Sequence, residues 1–120
     1  MVQGIVDHYI LPRIANASSA ALALDLAGPA LDDSPEYVDQ QQALDILHLV
    51  GRGQIALPAS GNKPPFTQVL VQHAEDGIED GHEVIFQTEP PQHQYRCFLQ
   101  SWKSGTPTVP IDALADAGCP

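Results

Sequence analysis

The chain has 120 residues, 43% of them hydrophobic, which suits a single globular domain over 1–120 with a real core. Fifteen acidic residues against five basic ones give a formal net charge of −10. This charge argues against direct binding to nucleic acid or to an anionic membrane surface, because both need lysine and arginine. No run of about 18 apolar residues occurs, so we expect no membrane span.

The first residues, MVQGIVDHYILPRI, lack the basic region and the continuous apolar run of a signal peptide. We therefore expect a cytoplasmic protein, with a virion component as a further possibility. In that setting Cys97 and Cys119 are most simply free thiols, although one bridge between them stays open.

The N-terminal third predicts helix as far as Ala27. Apolar residues recur there at three- and four-residue spacing, and Pro12 either begins a second helix or kinks a continuous one. A further helix is expected over 35–50, after Ser34 as its N-cap. Residues 54–58 then predict a short edge strand.

The stretch from Phe66 to Trp102 predicts the central sheet. β-branched and aromatic residues dominate three runs of strand length, at 66–73, 83–88 and 95–102. Asp-Gly pairs separate the first two runs and a Pro-Pro pair the last two, and connections this short favour antiparallel pairing.

The predicted fold class is therefore α+β. An N-terminal helical pair packs on a three- to four-stranded antiparallel β-meander, and a short helical turn follows over 110–117 near the C-terminus.

The acidic segment 75–83 is the densest charge cluster, and His73 and His82 flank it. Its spacing is not that of an EF-hand, and turn geometry explains its Asp-Gly pairs, which favours a solvated turn. Two histidines beside several acids would also make a pH-sensitive loop. His73, His82 and Glu83 are too few to define a zinc site, so the sequence assigns no metal, no cofactor and no catalytic residue.

The second face of the predicted sheet is the strongest candidate for function. Its apolar and aromatic residues stand among glutamines, a mixture typical of interface cores, and either the chain itself or a partner would cover it. The residues predicted for this interface are Phe66, Leu70, Ile85, Tyr95 and Leu99.

Three functions follow from these patterns. The first is a non-enzymatic protein that binds itself or another protein, as a homo-oligomeric or assembly subunit of a larger particle, a viral one included. The second is a small ligand-binding or acid–base enzymatic α+β domain that uses His73 and His82. The third is an acidic inhibitor that docks on a basic protein surface. The missing catalytic signatures favour the first.

Overall fold

A computed structural model of the chain describes residues 1–5, 7–31, 53–75, 77 and 80–120, the side chains of residues 12 and 13 aside. Within these ranges the protein is α+β, and its main sheet is parallel. The predicted antiparallel meander is therefore wrong.

The main sheet has four strands in the order β1-β5-β2-β3, every neighbouring pair being parallel. A second sheet pairs β4 and β6 antiparallel. The strands are β1 Val2–Gly4, β2 Asp25–Ala27, β3 Gln54–Ile55, β4 Ala59–Ser60, β5 Val69–His73 and β6 Thr108–Val109. Parallel neighbours need long crossover connections, and such connections separate all the strands of the main sheet along the chain.

The helices are α1 Pro12–Ala21, α2 Val84–Gln87 and α3 Glu89–Lys103, with a 3₁₀ turn at Gly81–Glu83 before α2. Prolines occupy the first turn of both α1 and α3, where a missing N–H costs nothing. In the described part of the chain no helix combines the length and the apolar character that a membrane crossing needs.

The central strand β5 is buried at every position, and its alternating side chains serve two layers. Val69 and Val71 join the core cluster that also contains Ala27, Ala59 and Val109, against which Phe98 of α3 packs. Leu70 instead packs with Leu24 and Leu26. Both faces of the strand are thus covered, as a parallel sheet requires.

The first predicted strand, 66–73, is confirmed in part, because β5 occupies its second half. The edge strand predicted at 54–58 is also confirmed in part, since β3 occupies its first two residues and lies at an edge of the sheet. The strands at 83–88 and 95–102 are wrong, because α2 and α3 occupy these segments. The alternation that suggested strands is outweighed in α3 by a helical repeat, with Gln94, Cys97 and Ser101 on its inner side.

The N-terminal helical pair is also wrong. Residues 2–4 form β1 next to β5, and the second predicted helix is α1 alone, which ends at Ala21 before a left-handed Ala23 (φ 61°) leads into β2. Of the two alternatives for Pro12, the start of a helix is the one found, because α1 begins at this residue. The helix predicted over 35–50 lies outside the described residues. The C-terminal helical turn is wrong as well, because 110–117 holds only a turn closed by Ala117 N–H to Leu114 O.

Cys97 and Cys119 form a disulfide, so the preference for two free thiols is wrong. Arg96, the neighbour of Cys97, donates to the carbonyl oxygens of Ala115 and Ala117. Together these contacts attach the C-terminal segment to α3, although that segment has no regular structure after β6.

Candidate functional site

The outer side of α3 carries a stripe of exposed apolar residues. Tyr95, Leu99 and Trp102 follow one another at helical spacing, and they are 53%, 39% and 62% exposed. The opposite side of the helix holds Gln94 and Cys97, both 2% exposed; Gln94 contacts His73 at the end of β5, and Cys97 is bonded to Cys119. The large apolar side chains of the helix thus lie on its exposed side, while its buried residues include polar His93 and Gln94.

The stripe continues into two adjoining cavities of about 450 and 570 Å³. Both are lined by Thr67, Gln68, Phe98 and Leu99, which makes them one continuous groove. No aspartate, glutamate, histidine, lysine or arginine lines either cavity in the described part of the chain. We name the whole region the α3 surface, and its apolar members are Phe66, Ile85, Tyr95, Phe98, Leu99 and Trp102.

The loop that carries Phe66 is held in place from both sides. Lys63 and Phe66 exchange two backbone hydrogen bonds, of 3.1 and 2.7 Å. The ammonium of Lys63 lies 3.1 Å from Oδ1 of buried Asp25, at the start of β2. Thr67 Oγ1 donates to the carbonyl oxygen of Pro107 at 2.7 Å. Phe66, 60% exposed, is thus presented by an anchored loop.

Four of the five residues predicted as an interface line the α3 surface, namely Phe66, Ile85, Tyr95 and Leu99. The fifth, Leu70, is 1% exposed and belongs to the core. Trp102 also lines the α3 surface but is not among the predicted interface residues, because the strand prediction places it on the other face of the sheet. The helical spacing of Tyr95, Leu99 and Trp102 is the sequence signal that would have included it.

A polar cluster lies where β1 ends, apart from the α3 surface. Two aspartate–histidine pairs cross between the loop after β1 and the 3₁₀ turn: His8 Nδ1 to Asp80 Oδ2 at 2.8 Å, and His82 Nδ1 to Asp7 Oδ2 at 3.2 Å. The ring of Tyr9 also packs against that of His82 in a tilted arrangement, with ring centroids 5.0 Å apart.

Each carboxylate of this cluster also accepts backbone N–H groups. Asp7 accepts from Tyr9 and Ile10, and Asp80 accepts from His82 and His8. The bond from the His82 N–H, followed by the contacts with His8, holds the pKa of the Asp80 carboxyl below its usual value, although burial opposes the shift. The cluster thus fastens two chain segments together.

His73 lies apart from that cluster. It ends β5 at 4% exposure, and its Nε2 is 3.0 Å from Gln94 Oε1 on α3. Burial lowers the pKa of His73, against the opposing effects of Asp112 and of the Gln94 hydrogen bond. The hairpin expected to bring His73 opposite His82 does not form, and these two histidines have different partners.

Within the described ranges, no three histidine, cysteine, aspartate or glutamate residues are arranged to hold a metal ion. Glu83, the third residue of the predicted metal candidates, ends the 3₁₀ turn, and residues 76, 78 and 79 of the acidic segment lie outside the description. The geometry therefore offers no support for a metal among the residues it describes.

Comparison of the chain with protein-family models, with curated proteins and with solved structures finds no match.

Proposed function

We propose that this protein acts by binding protein through the α3 surface, and that the partner is a second copy of the chain. The observation that carries the proposal is a continuous apolar groove whose described lining includes no aspartate, glutamate, histidine, lysine or arginine, on a chain of net charge −10. Two such acidic molecules repel each other over most of their surfaces, so an apolar region whose described lining has no acidic side chain is where they can meet.

The shape of the α3 surface supports a two-fold symmetric contact. Tyr95 and Trp102, with Leu99 between them, are seven positions apart, which is roughly 10 Å of helix at 1.5 Å per residue. Two such helices laid antiparallel would place each stripe on the other, with Phe66 at the rim. Aromatic residues of this kind supply most of the energy of protein interfaces.

The test compares two charge-introducing variants by sedimentation velocity over a range of protein concentrations. We expect Leu99→Glu to weaken self-association at least about tenfold, since a carboxylate would be buried on both sides of the contact. Leu114→Glu is the matched control, because Leu114 is 65% exposed and lies outside the groove. Equal sedimentation of the wild type and both variants, all monomeric, would overturn the proposal.

Other occupants of the α3 surface give other outcomes. A different protein partner would bind the wild type and not Leu99→Glu, while the chain alone stays monomeric. The acidic-inhibitor alternative predicts strong weakening by salt and little effect of Leu99→Glu, because charges outside the groove would carry that contact. An acid–base enzyme that uses His73 and His82 together has less support, since the two residues have separate partners.

A further inference from the structure

A small cavity lies beside the end of the central strand, on another part of the protein. It has a volume of about 230 Å³, and its walls include His73, Thr88, Asp112, Pro29, Leu31 and Pro91. Ligands of parallel sheets characteristically bind outside the carboxyl ends of the strands, and His73 is the last residue of β5.

The hydrogen bonds of Gln94 determine which nitrogen of His73 carries the proton. Gln94 Nε2 donates to Pro110 O at 2.9 Å and to Asp112 Oδ1 at 2.8 Å, which uses both amide hydrogens. Gln94 Oε1 therefore accepts from His73 Nε2–H at 3.0 Å. In neutral His73 the other nitrogen, Nδ1, is then a hydrogen-bond acceptor.

Nδ1 of His73 is open to a ligand. Within the described ranges no hydrogen bond to Nδ1 is formed. It is also not sealed in, since the only fully enclosed side-chain polar atom there that lacks a hydrogen bond is Asp25 Oδ1, whose charge Lys63 balances. His73 is only 4% exposed and lines the cavity. Buried polar atoms normally have a hydrogen-bond partner, so an unbonded nitrogen at this position suggests that a ligand supplies one.

Two further residues of the described cavity wall, Thr88 and Asp112, also present acceptors. The hydroxyl hydrogen of Thr88 is used by Val84 O at 2.7 Å, which leaves oxygen lone pairs. One carboxylate oxygen of Asp112, Oδ1, accepts the hydrogen bond from Gln94, and the second oxygen remains as an acceptor. Gln72 accepts the Leu31 N–H on its Oε1 and donates one of its two Nε2 hydrogens to Gln3. Proline and leucine supply the apolar walls.

We propose that this cavity binds a small protonated amine, with its ammonium group between His73 Nδ1 and the Asp112 carboxylate and its short carbon chain against Pro29, Leu31 and Pro91. An ammonium group offers three donors and no acceptor, which complements the acceptors that His73, Thr88 and Asp112 present. The negative charge of Asp112 and of the chain as a whole attracts it. At roughly 30 Å³ per water-sized group, the space suits a molecule of fewer than about ten non-hydrogen atoms.

The test titrates three matched probes into isotope-labelled protein: propylammonium, 1-propanol and propionate. Nitrogen-detected NMR of the imidazole reports on His73, and amide spectra report on Asp112. We expect propylammonium to shift both signals saturably with a Kd on the order of 1–10 mM, as befits so small a ligand. Binding of 1-propanol should be at least about tenfold weaker, and propionate should not bind.

Asp112→Asn should weaken propylammonium at least about tenfold, and Asp116→Asn, whose side chain does not line the cavity, should leave it unchanged. Both residues are exposed, so each variant should retain the amide spectrum of the folded protein. Propionate binding as well as propylammonium would overturn the proposal, as would an unshifted His73 signal at saturating amine. Leu99→Glu should bind the amine normally, which keeps this result separate from self-association.

Discussion

At the scale of single residues, His73 shows how burial sets a charge state. Removal from water is the largest influence on its pKa and lowers it, while Asp112 and Gln94 oppose the change. Below an ordinary pKa of about 6.5, the unfolded chain therefore binds this proton more readily than the folded protein. The stability that neutral His73 provides is complete above that pH and is lost as the pH falls below it.

Replacing His73 by glutamine removes this titration. We expect His73→Gln to show a flatter dependence of the free energy of unfolding on pH than the wild type, between about pH 7 and 5. One proton contributes at most about 1.4 kcal/mol per pH unit. The measurement is urea unfolding at several pH values.

The histidines paired with Asp80 and Asp7 are present in both proteins, so only the difference between the two pH profiles is informative. Parallel profiles for wild type and His73→Gln would contradict this account of His73.

At the scale of elements, β1 and the residue after it approach the backbone of the 3₁₀ turn very closely. No sequence pattern predicts this contact. A Cβ on Gly81 would lie 2.2 Å from the carbonyl oxygen of Ile5, and one on Gly4 would lie 1.7 Å from Gly81 O. These are backbone atoms, which cannot move aside without displacing the strand. The crossed aspartate–histidine pairs lie on the same junction.

Gly81→Ala is therefore expected to destabilise the protein by about 1–3 kcal/mol, as overpacked sites do. Gly118→Ala is the control, since nothing lies within 4 Å of its added Cβ and its φ is not positive. Thermal unfolding of the two variants against wild type measures the difference. Equal melting temperatures for Gly81→Ala and Gly118→Ala would show that the two segments do not meet this closely.

The elements differ in how far the sequence predicts them. The run at β5 is predictable because a central parallel strand is apolar on both faces, so Val69, Leu70 and Val71 stand together. β1 is not, because its three residues are too few to show a period and their identity as strand comes from pairing with β5. α3 is mistaken for a strand because its apolar residues face outward, while polar Gln94 faces the core.

The candidate sites also differ in how far the sequence predicts them. Four of the five residues predicted for an interface lie along one groove, although none of the four is in a strand, and their role as an interface stays a prediction. Asp7 and His8 could not be found, since their partners at 80 and 82 are more than 70 residues away and no local pattern marks them. Asp112 is likewise separated from His73 in sequence and joined to it only through Gln94.

At the scale of the whole molecule, the Cys97–Cys119 disulfide holds the irregular C-terminal segment on α3. The cytoplasmic location stays a prediction, and this bond counts against it, because disulfides persist mainly in oxidising compartments. Closing a loop of 22 residues restricts the unfolded chain and stabilises the folded one by about 3 kcal/mol.

Cys119→Ser is expected to lose that stabilisation without losing the fold, since Cys119 lies in a segment that the core does not need. Chemical denaturation with and without reductant checks this. Reductant should destabilise the wild type to the level of Cys119→Ser and leave the variant unchanged. A wild type that is indifferent to reductant would mean that the bond does not form.

The central claim concerns the α3 surface, and native mass spectrometry of the purified wild-type protein tests it most directly. We predict a species of twice the 12.9 kDa chain mass at micromolar concentration, which dissociates on dilution and is absent in Leu99→Glu. A single species at the chain mass over the whole concentration range, with no bound protein, would contradict it.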